Sequence, residues 1–370
     1  MIKRSFALIL CLFLTACANH HMPKVLVPVA ETVADAKQVS MLVATSRGYD
    51  EATGYFESKR ARILSYQRFN ISIPPAHAVG EIEWPTTVPG DPKREFVTLR
   101  NDLLTESGMA REIASMIPPS GEVLVFVHGY NTTHEEAVFR FAQIIGDSSL
   151  KPLPILFSWP SRGEVKDYVT DRESILSSRN RMDEFLKQLA RHPRVKRIDL
   201  LAHSMGTMLT LETLVQAKLR GDANYSGKLD SIVLAAPDID VDVFQAQFEI
   251  IGNRNRPTTI LTSRDDRALA ISSKIAGDVV RVGAASPRAR ATIETVKRLG
   301  LTVVDMTDVK SSDSANHGKF ASSPVFIRQM GAHLGGNAPA GFGPVGTFIV
   351  DTAGTILEAP SSILREIARR

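Results

Sequence analysis

A serine near the middle of the chain has the neighbours that nucleophilic catalysis requires. Ser204 lies at the centre of the pentapeptide 202–206, which reads AHSMG. The run before it, residues 197–201, predicts a short buried strand, and residues 207–219 after it have apolar side chains at helical spacing. A serine between small residues on a tight strand-to-helix turn presents its hydroxyl above the edge of a sheet. Ser204 is therefore the candidate nucleophile.

Two histidines follow Ser204, and one of them is the candidate base. Where a nucleophilic serine occupies such a turn, a carboxylate and then a histidine come later in the chain. His333 lies in the glycine-rich stretch 331–336, which is poorly suited to a rigid site, whereas His317 follows the last predicted strand. We therefore predict that His317 takes the proton of Ser204. The alternative is a surface histidine without a role.

Several aspartates compete for the role of the acid that would orient His317. Asp265 and Asp266 come directly after a predicted strand, on the loop that usually carries the acid in such sites. Asp266 is our candidate, and Asp265 is the nearest alternative. Asp238, at the end of the preceding strand, is a further alternative. Since arginines flank the pair, a surface ion-pair cluster is the competing interpretation of this loop.

Two backbone amides are predicted to hold the negative charge that develops on the substrate oxygen. One is the amide of Met205, the residue after the nucleophile. The other is the amide of Tyr130, which follows His128 and Gly129 in the loop after the first predicted parallel strand. We interpret His128 and the elbow residue His203 as structural. The predicted chemistry uses no metal ion and no cofactor.

The elements that would position these residues alternate between strands and helices. The predicted strands of this part are residues 123–127, 155–158, 197–201, 231–235, 258–262 and 301–305. Thr133 and Glu136 form a capping box at the start of the first intervening helix. This alternation predicts an α/β fold with a mostly parallel central sheet and helices on both faces. Residues 41–45, 63–73 and 81–84 are predicted as extra antiparallel strands at the start of the sheet.

The chain is predicted to divide into four parts. Residues 1–16 form a lipoprotein signal peptide, 17–39 a tether, 40–330 the catalytic domain and 331–370 a flexible tail rich in glycine and proline. Within the domain, the polar segment 159–180 is a candidate cap over the site, and an ordinary surface excursion is the alternative. The end of the tail, residues 356–370, is either a short basic helix or a solvated surface tail.

The end of the signal segment predicts a lipid anchor. Residues 14–17, which read LTAC, resemble the lipobox of bacterial lipoproteins, which implies cleavage before Cys17 and lipid on its sulfur. The resemblance, with Ala18 as the next residue, implies attachment to the outer membrane, facing the periplasm. An ordinary secretory signal with an incidental cysteine is the alternative. Because the only other cysteine, Cys11, leaves with the signal, the mature chain has no internal disulfide.

The charge balance excludes one class of partner. The formal net charge is +4 over 370 residues, which is too small for a nucleic-acid-binding surface. The expected partners are instead a small-molecule or lipid ester as substrate, and a membrane reached through the N-terminal lipid.

Five motifs together resemble those of a bacterial alpha/beta-hydrolase family of uncharacterised esterase-like and lipase-like proteins. They are residues 127–131, 157–163, 202–206, 235–240 and 266–269. The resemblance covers about residues 40–330. It implies an alpha/beta-hydrolase fold and ester hydrolysis, without naming a substrate.

The leading hypothesis for function is a serine hydrolase, carboxylesterase-like or lipase-like, that works through an acyl-enzyme. Ser204 would attack the ester carbonyl, His317 would take and return the proton, and Asp266 would orient His317. Two alternatives stay open. One is a lipid-anchored envelope binding protein that keeps the fold without turnover, and the other is an amidase, peptidase or thioesterase with the same residues.

Overall fold

A computed structural model describes residues 25–148, 150–254, 257–324 and 326–327, together with the backbone of residues 348–350 and 356–358. The predicted signal peptide, Cys17, His333 and most of the predicted tail lie outside these residues. The lipid anchor and the envelope location therefore stay predictions. None of the helices in the described part combines the length and the apolar character that crossing a bilayer requires.

The apolar runs form one sheet, which has eleven strands among the described residues. In chain order these are β1 (Lys37–Asp50), β2 (Tyr55–Ile73), β3 (Val97–Leu104), β4 (Glu122–Val127), β5 (Leu153–Ser158), β6 (Arg197–His203), β7 (Leu229–Ala235), β8 (Thr258–Thr262), β9 (Leu301–Asp305), β10 (Phe348–Val350) and β11 (Ile356–Glu358). Their order across the sheet is β11-β10-β9-β8-β7-β6-β4-β5-β1-β2-β3. The strands β4 to β9 run parallel, β1 is parallel to β5, and antiparallel pairs close both ends.

Helices cover both faces of this sheet. They are α1 (Glu106–Met116), α2 (His134–Ser148), α3 (Tyr168–Arg191), α4 (Met205–Leu219), α5 (Val241–Ile251), α6 (Arg267–Ile275), α7 (Arg290–Leu299) and α8 (Lys319–Ser322). Side chains of β4 alternate between two cores: Val125 packs with residues of α3 and α4, and Phe126 packs with residues of α2. The predicted mostly parallel sheet with helices on both faces is confirmed.

Local signals in the sequence also have their expected effect. The backbone N–H of Thr133 donates to the Glu136 carboxylate at 2.8 Å, and the N–H of Glu136 donates to Thr133 Oγ1 at 3.2 Å. The predicted capping box is confirmed, and it fixes the start of α2 directly after the loop that follows β4.

One predicted strand was wrong. Residues 81–84 are irregular, and the third N-terminal strand is β3. The carboxylate of Glu83 accepts hydrogen bonds from the ring of His77 at 2.7 Å and from the backbone of Ala78 at 3.0 Å. These local bonds, together with Pro85, stabilise a compact loop in place of an extended strand.

The segment predicted as a candidate cap is mostly helical. Most of residues 159–180 belong to α3, which begins at Tyr168, so the segment between β5 and that helix is only nine residues long. The buried stripe of this first part of α3 includes Asp171, Ser174 and Ser178, whose polar side chains hide the helical period in the sequence. Asp171 accepts a hydrogen bond from Ser161, and Ser178 is hydrogen-bonded to Ser46. Buried polar side chains with partners replace the expected apolar ones.

Both predicted flexible ends contain ordered structure. On the N-terminal side, Val25 and Leu26 are buried, the amide of Val29 donates to Thr98 of β3 at 2.8 Å, and β1 begins at Lys37, inside the predicted tether. On the C-terminal side, β10 and β11 extend the sheet within the predicted tail, with β10 antiparallel to β9. The strand β11 contains the first three of residues 356–370, and the rest of that range lies outside the described residues.

A buried arginine of β1 joins two loops at the carboxyl edge of the sheet. Arg47 is 2% exposed, and its guanidinium donates to Ser158 Oγ at 3.0 Å, to the carbonyl of Ser161 at 2.9 Å and to the carbonyl of Thr132 at 2.8 Å. Burial lowers the pKa of Arg47 to about 10, which still leaves it charged at neutral pH. One cation therefore links β1, the end of β5 and the loop after β4.

Replacing this cation tests its structural role. We expect Arg47→Met to lower the free energy of unfolding by about 2 kcal/mol or more, because two buried carbonyls and a hydroxyl lose their donor. Arg62→Met is the matched control: Arg62 is exposed on β2, and its loss should cost about 0.5 kcal/mol or less. Urea unfolding measures both. Equal costs for the two variants would contradict the assigned role of Arg47.

Candidate active site

Ser204 occupies the turn between β6 and α4 with a strained backbone. Its φ is 52° and its ψ is −125°, a conformation that side-chain-bearing residues rarely adopt, and its side chain is almost fully buried. The N–H of Ser204 donates to the carbonyl of Ala235 at 2.9 Å, and Thr207 Oγ1 donates to the carbonyl of Ser204 at 2.6 Å. These bonds hold the turn, and the predicted strand and helix on either side of it are confirmed.

Two glycines allow the turn and the loop after β4 to touch. A Cβ atom at Gly206 would lie 2.3 Å from the carbonyl oxygen of His128, and a Cβ atom at Gly129 would lie 2.9 Å from Ser204 Cβ. No side chain fits at either position, so glycine is required for this close approach. The structure thus brings Gly129 and Tyr130 beside the candidate nucleophile.

The two predicted oxyanion donors lie on these adjoining elements. Met205 is the first residue of α4, and amides of a first helical turn have no carbonyl partner within the helix. The positive end of the helix dipole also favours negative charge there. On the other side, the Tyr130 hydroxyl donates to the carbonyl of Val165, and the Tyr130 carbonyl accepts from Thr132 Oγ1 at 3.1 Å. The loop that carries the second amide is therefore held at both the side chain and the backbone.

His317 and Asp266 meet across two loops that are far apart in sequence. His317 Nδ1 lies 2.7 Å from Asp266 Oδ2. Asp266 is buried and also caps α6, since its Oδ1 accepts from the N–H of Leu269 at 2.9 Å. The His317 loop is fixed by Asp313, whose carboxylate accepts from the N–H groups of His317 and Gly318 at 2.7 and 2.6 Å.

The surroundings set the pKa of His317. Burial disfavours the charged ring, but the Asp266 carboxylate that it faces outweighs burial, and the pKa is raised above its ordinary value. With Nδ1–H donated to Asp266, Nε2 of the neutral ring is left as the basic nitrogen. An imidazole oriented by a buried carboxylate has the form of a general base.

The other two candidate acids have different partners. Asp265 is bonded to Lys319 Nζ at 2.8 and 2.9 Å and to Ser263 Oγ at 2.5 Å, and these cationic and hydroxyl partners lower its pKa despite partial burial. Asp238 is buried beside Arg281, with its carboxylate 3.2 Å from the guanidinium, and accepts from the hydroxyls of Tyr168 and Ser272. The structure places Asp266 against His317 and gives the other two carboxylates separate partners.

The two flanking histidines make contacts within the scaffold. His203 Nε2 donates to the carbonyl of His317 at 3.2 Å, and the two rings lie 4.7 Å apart. Nε2 of His128 accepts from the N–H of Trp159 at 3.1 Å, and the two side chains stack. Burial, reinforced by nearby positive groups, lowers the pKa of His203 far below its ordinary value and that of His128 to about 3, so both are neutral at pH 7.

Four supporting residues were not identified from the sequence: Arg47, Tyr168, Asp171 and Asp313. Asp171 is fully buried and accepts from Ser161 Oγ at 2.5 Å and from the N–H of Arg162 at 3.0 Å, and burial raises its pKa. A signal existed for Asp313, because aspartate commonly binds backbone amides a few residues onward in a turn. Within the described residues, no group of three or more His, Cys, Asp or Glu side chains is placed to hold a metal ion.

The solved structures to which this chain is similar include three of low sequence identity. Lipase B of Aspergillus fumigatus is 12% identical, with a TM-score of 0.39, over 62% of this chain and 58% of its own. A fungal esterase of Rhizomucor miehei is 11% identical (TM-score 0.31; 80% and 83% covered), and the Pyrococcus furiosus esterase Pf2001 is 12% identical (TM-score 0.36; 83% and 96% covered). The chain thus spans less than two thirds of lipase B.

Comparison with family models identifies the family of this chain. None of the curated proteins matches the chain. A family model described as alpha/beta hydrolase of unknown function (DUF900) matches residues 106–333. Because this match covers more than half of the chain, the protein belongs to that family and has the alpha/beta-hydrolase fold.

Proposed function

We propose that the protein is a serine hydrolase that cleaves carboxylic esters through an acyl-enzyme. The observation that carries this proposal is the 2.7 Å contact between His317 Nδ1 and Asp266 Oδ2, in a loop that also contacts the residue before Ser204. A buried carboxylate, an imidazole of raised pKa and a serine on a strained turn are the three parts that nucleophilic acyl transfer requires.

In the proposed reaction, Ser204 Oγ attacks the ester carbonyl carbon while Nε2 of His317 takes the hydroxyl proton. The carbonyl oxygen becomes negative and is stabilised by the amides of Met205 and Tyr130. His317 then gives its proton to the leaving alcohol, and the acyl group stays on Ser204. A water molecule, deprotonated by His317, attacks this acyl-enzyme and releases the carboxylic acid. Asp266 holds the ring in one tautomer and stabilises its positive charge throughout.

The nucleophile is tested by removing its hydroxyl. Ser204→Ala is expected to lower hydrolysis of 4-nitrophenyl acetate to background and to abolish labelling by a fluorophosphonate probe, because no other oxygen replaces the attacking atom. The matched control is Ser115→Ala, which changes an exposed serine on α1 and should leave both readouts unchanged. Labelling that persists in Ser204→Ala, or wild-type protein that neither labels nor hydrolyses esters, would contradict the proposal.

The acid is tested by replacing carboxylates with amides. Asp266→Asn should keep the cap of α6, since its amide oxygen can still accept from Leu269, but should lower kcat/KM on the order of 10³-fold or more, because the amide disfavours the productive tautomer. Asp265→Asn should have a much smaller effect, since Asp265 binds Lys319 instead of the histidine. A larger loss in Asp265→Asn than in Asp266→Asn would reverse this assignment.

The pH dependence follows from the raised pKa of His317. Only the neutral ring accepts a proton, so kcat/KM should fall as the pH drops through the pKa of His317, with a midpoint above its ordinary value of 6.5. Residual activity of Asp266→Asn should have a lower midpoint, because the carboxylate that stabilises the charged ring is gone. A pH–rate profile of both proteins measures this shift, and an unchanged midpoint would contradict the electrostatic role of Asp266.

A further inference from the structure

An apolar groove lies between α3, α4 and α6. Its volume is about 210 Å³, and it is lined by the apolar side chains of Tyr168, Val169, Leu176, Met208, Ile275 and Ala276. From Tyr168 to Leu176 the groove follows α3 for eight residues, which corresponds to a length of about 12 Å.

Two residues that line the groove are linked to elements of the candidate active site. Met208 lies on α4, one helical turn after Ser204. The ring of Tyr168 packs edge-on against Tyr130 with 5.2 Å between centroids, and its hydroxyl donates to Asp238 at 3.1 Å. The backbone N–H of Asp238 in turn donates to the carbonyl of Ser204 at 3.4 Å. Met208 thus links the groove to the turn at Ser204, and Tyr168 links it to the loop after β4 that carries Tyr130.

Three of the apolar residues that line the groove are exposed to solvent. Val169 is 68% exposed, Ile275 52% and Leu176 38%, and all three line the same cavity. Covering such surface contributes roughly 25 cal/mol per Å², so an apolar ligand would be stabilised there. A contiguous apolar surface beside a site is the usual form of a binding groove.

The charged residues of the groove favour an uncharged occupant. Arg172 and Glu173 also line it, and their opposite charges cancel. Long charged side chains can place their aliphatic stems along apolar surface while the charged ends stay in water. The groove therefore offers apolar contact without a net charge that would select an ionised ligand.

From the links to the turn and the loop, the apolar lining and the lack of net charge, we propose that the groove binds the acyl chain of the ester substrate. The inference rests on the proposed ester hydrolysis and names its substrate class: esters of medium-chain fatty acids. A cavity of about 150 Å³ holds a benzene molecule, so 210 Å³ corresponds to about eight carbon atoms. Acyl chains beyond this length would project past Leu176 into solvent and would gain little further binding free energy.

A series of 4-nitrophenyl esters from acetate to dodecanoate tests this inference. For the wild-type protein, kcat/KM should rise with chain length to about octanoate and then level off. Ala276→Trp places an indole in the groove and should lower the ratio of kcat/KM for octanoate to that for acetate at least about 10-fold. Because the ratio does not depend on the fraction of folded protein, a loss of stability does not imitate this effect.

Two further variants sharpen the test. Ile275→Asn changes an exposed wall residue to a polar one of similar size and should lower the same ratio by a smaller factor. Ile63→Trp is the matched control, because Ile63 is 72% exposed on β2, away from the groove, and should leave the ratio unchanged. An equal change in Ile63→Trp and Ala276→Trp would overturn the assignment of the groove.

These measurements distinguish a failure of this inference from a failure of the proposed function. If the wild-type protein hydrolyses acetate and labels at Ser204 but shows no dependence on chain length, the groove does not bind the acyl chain and ester hydrolysis stands. If no ester is hydrolysed and Ser204 is not labelled, both fail together. If Ala276→Trp instead abolishes self-association or binding to phospholipid vesicles with an unchanged ratio, the groove covers a protein or a membrane, which also overturns the inference.

Discussion

The site depends on a direct backbone contact between the first turn of α4 and the loop after β4. A Cβ atom at position 206 would lie only 2.3 Å from the carbonyl oxygen of His128, so the two backbones leave no room for a side chain between them. The helix packs closely enough on that loop to hold Ser204 in a conformation that by itself costs about 1–3 kcal/mol. Packing of α4 and the bond from Ser204 to Ala235 offset this strain. The relative position of Ser204 and the loop after β4 is thus a property of the core.

Electrostatic differences within the site follow from which groups face a carboxylate. His128, His203 and His317 lie close together and share a low-dielectric interior, yet only the pKa of His317 is raised. His317 faces Asp266, whereas the other two rings bond to backbone groups that leave them neutral. Of these three rings, only His317 therefore faces a carboxylate that favours its protonated form.

The sequence allowed most of the fold and the turn that carries Ser204 to be predicted, for physical reasons that are visible in particular elements. The strand β4, which is buried on both faces, is a nearly continuous apolar run, and the turn at Ser204 has a distinct local signature. Loops have no periodic pattern of side chains. The sequence therefore did not show which aspartate pairs with His317, and three candidates were left.

The features that could not be predicted are those in which polar residues are buried. The start of α3 was missed because Asp171 and Ser178 occupy core-facing positions and find partners only in the folded chain. Arg47 was missed because a charged residue in a strand normally indicates a solvent-facing position. In both cases tertiary hydrogen bonds override the hydrophobic pattern on which the prediction depends.

Arg47 also bears on where this domain begins. The matched family segment starts at residue 106, after β1, β2 and β3, although β1 pairs with β5 and its arginine holds the loops after β4 and β5. The segment that identifies the family therefore begins later in the chain than the segment that supports the candidate site. The N-terminal strands belong to the same sheet as the candidate site. A domain boundary drawn at residue 106 would separate the loops of that site from Arg47, which binds them.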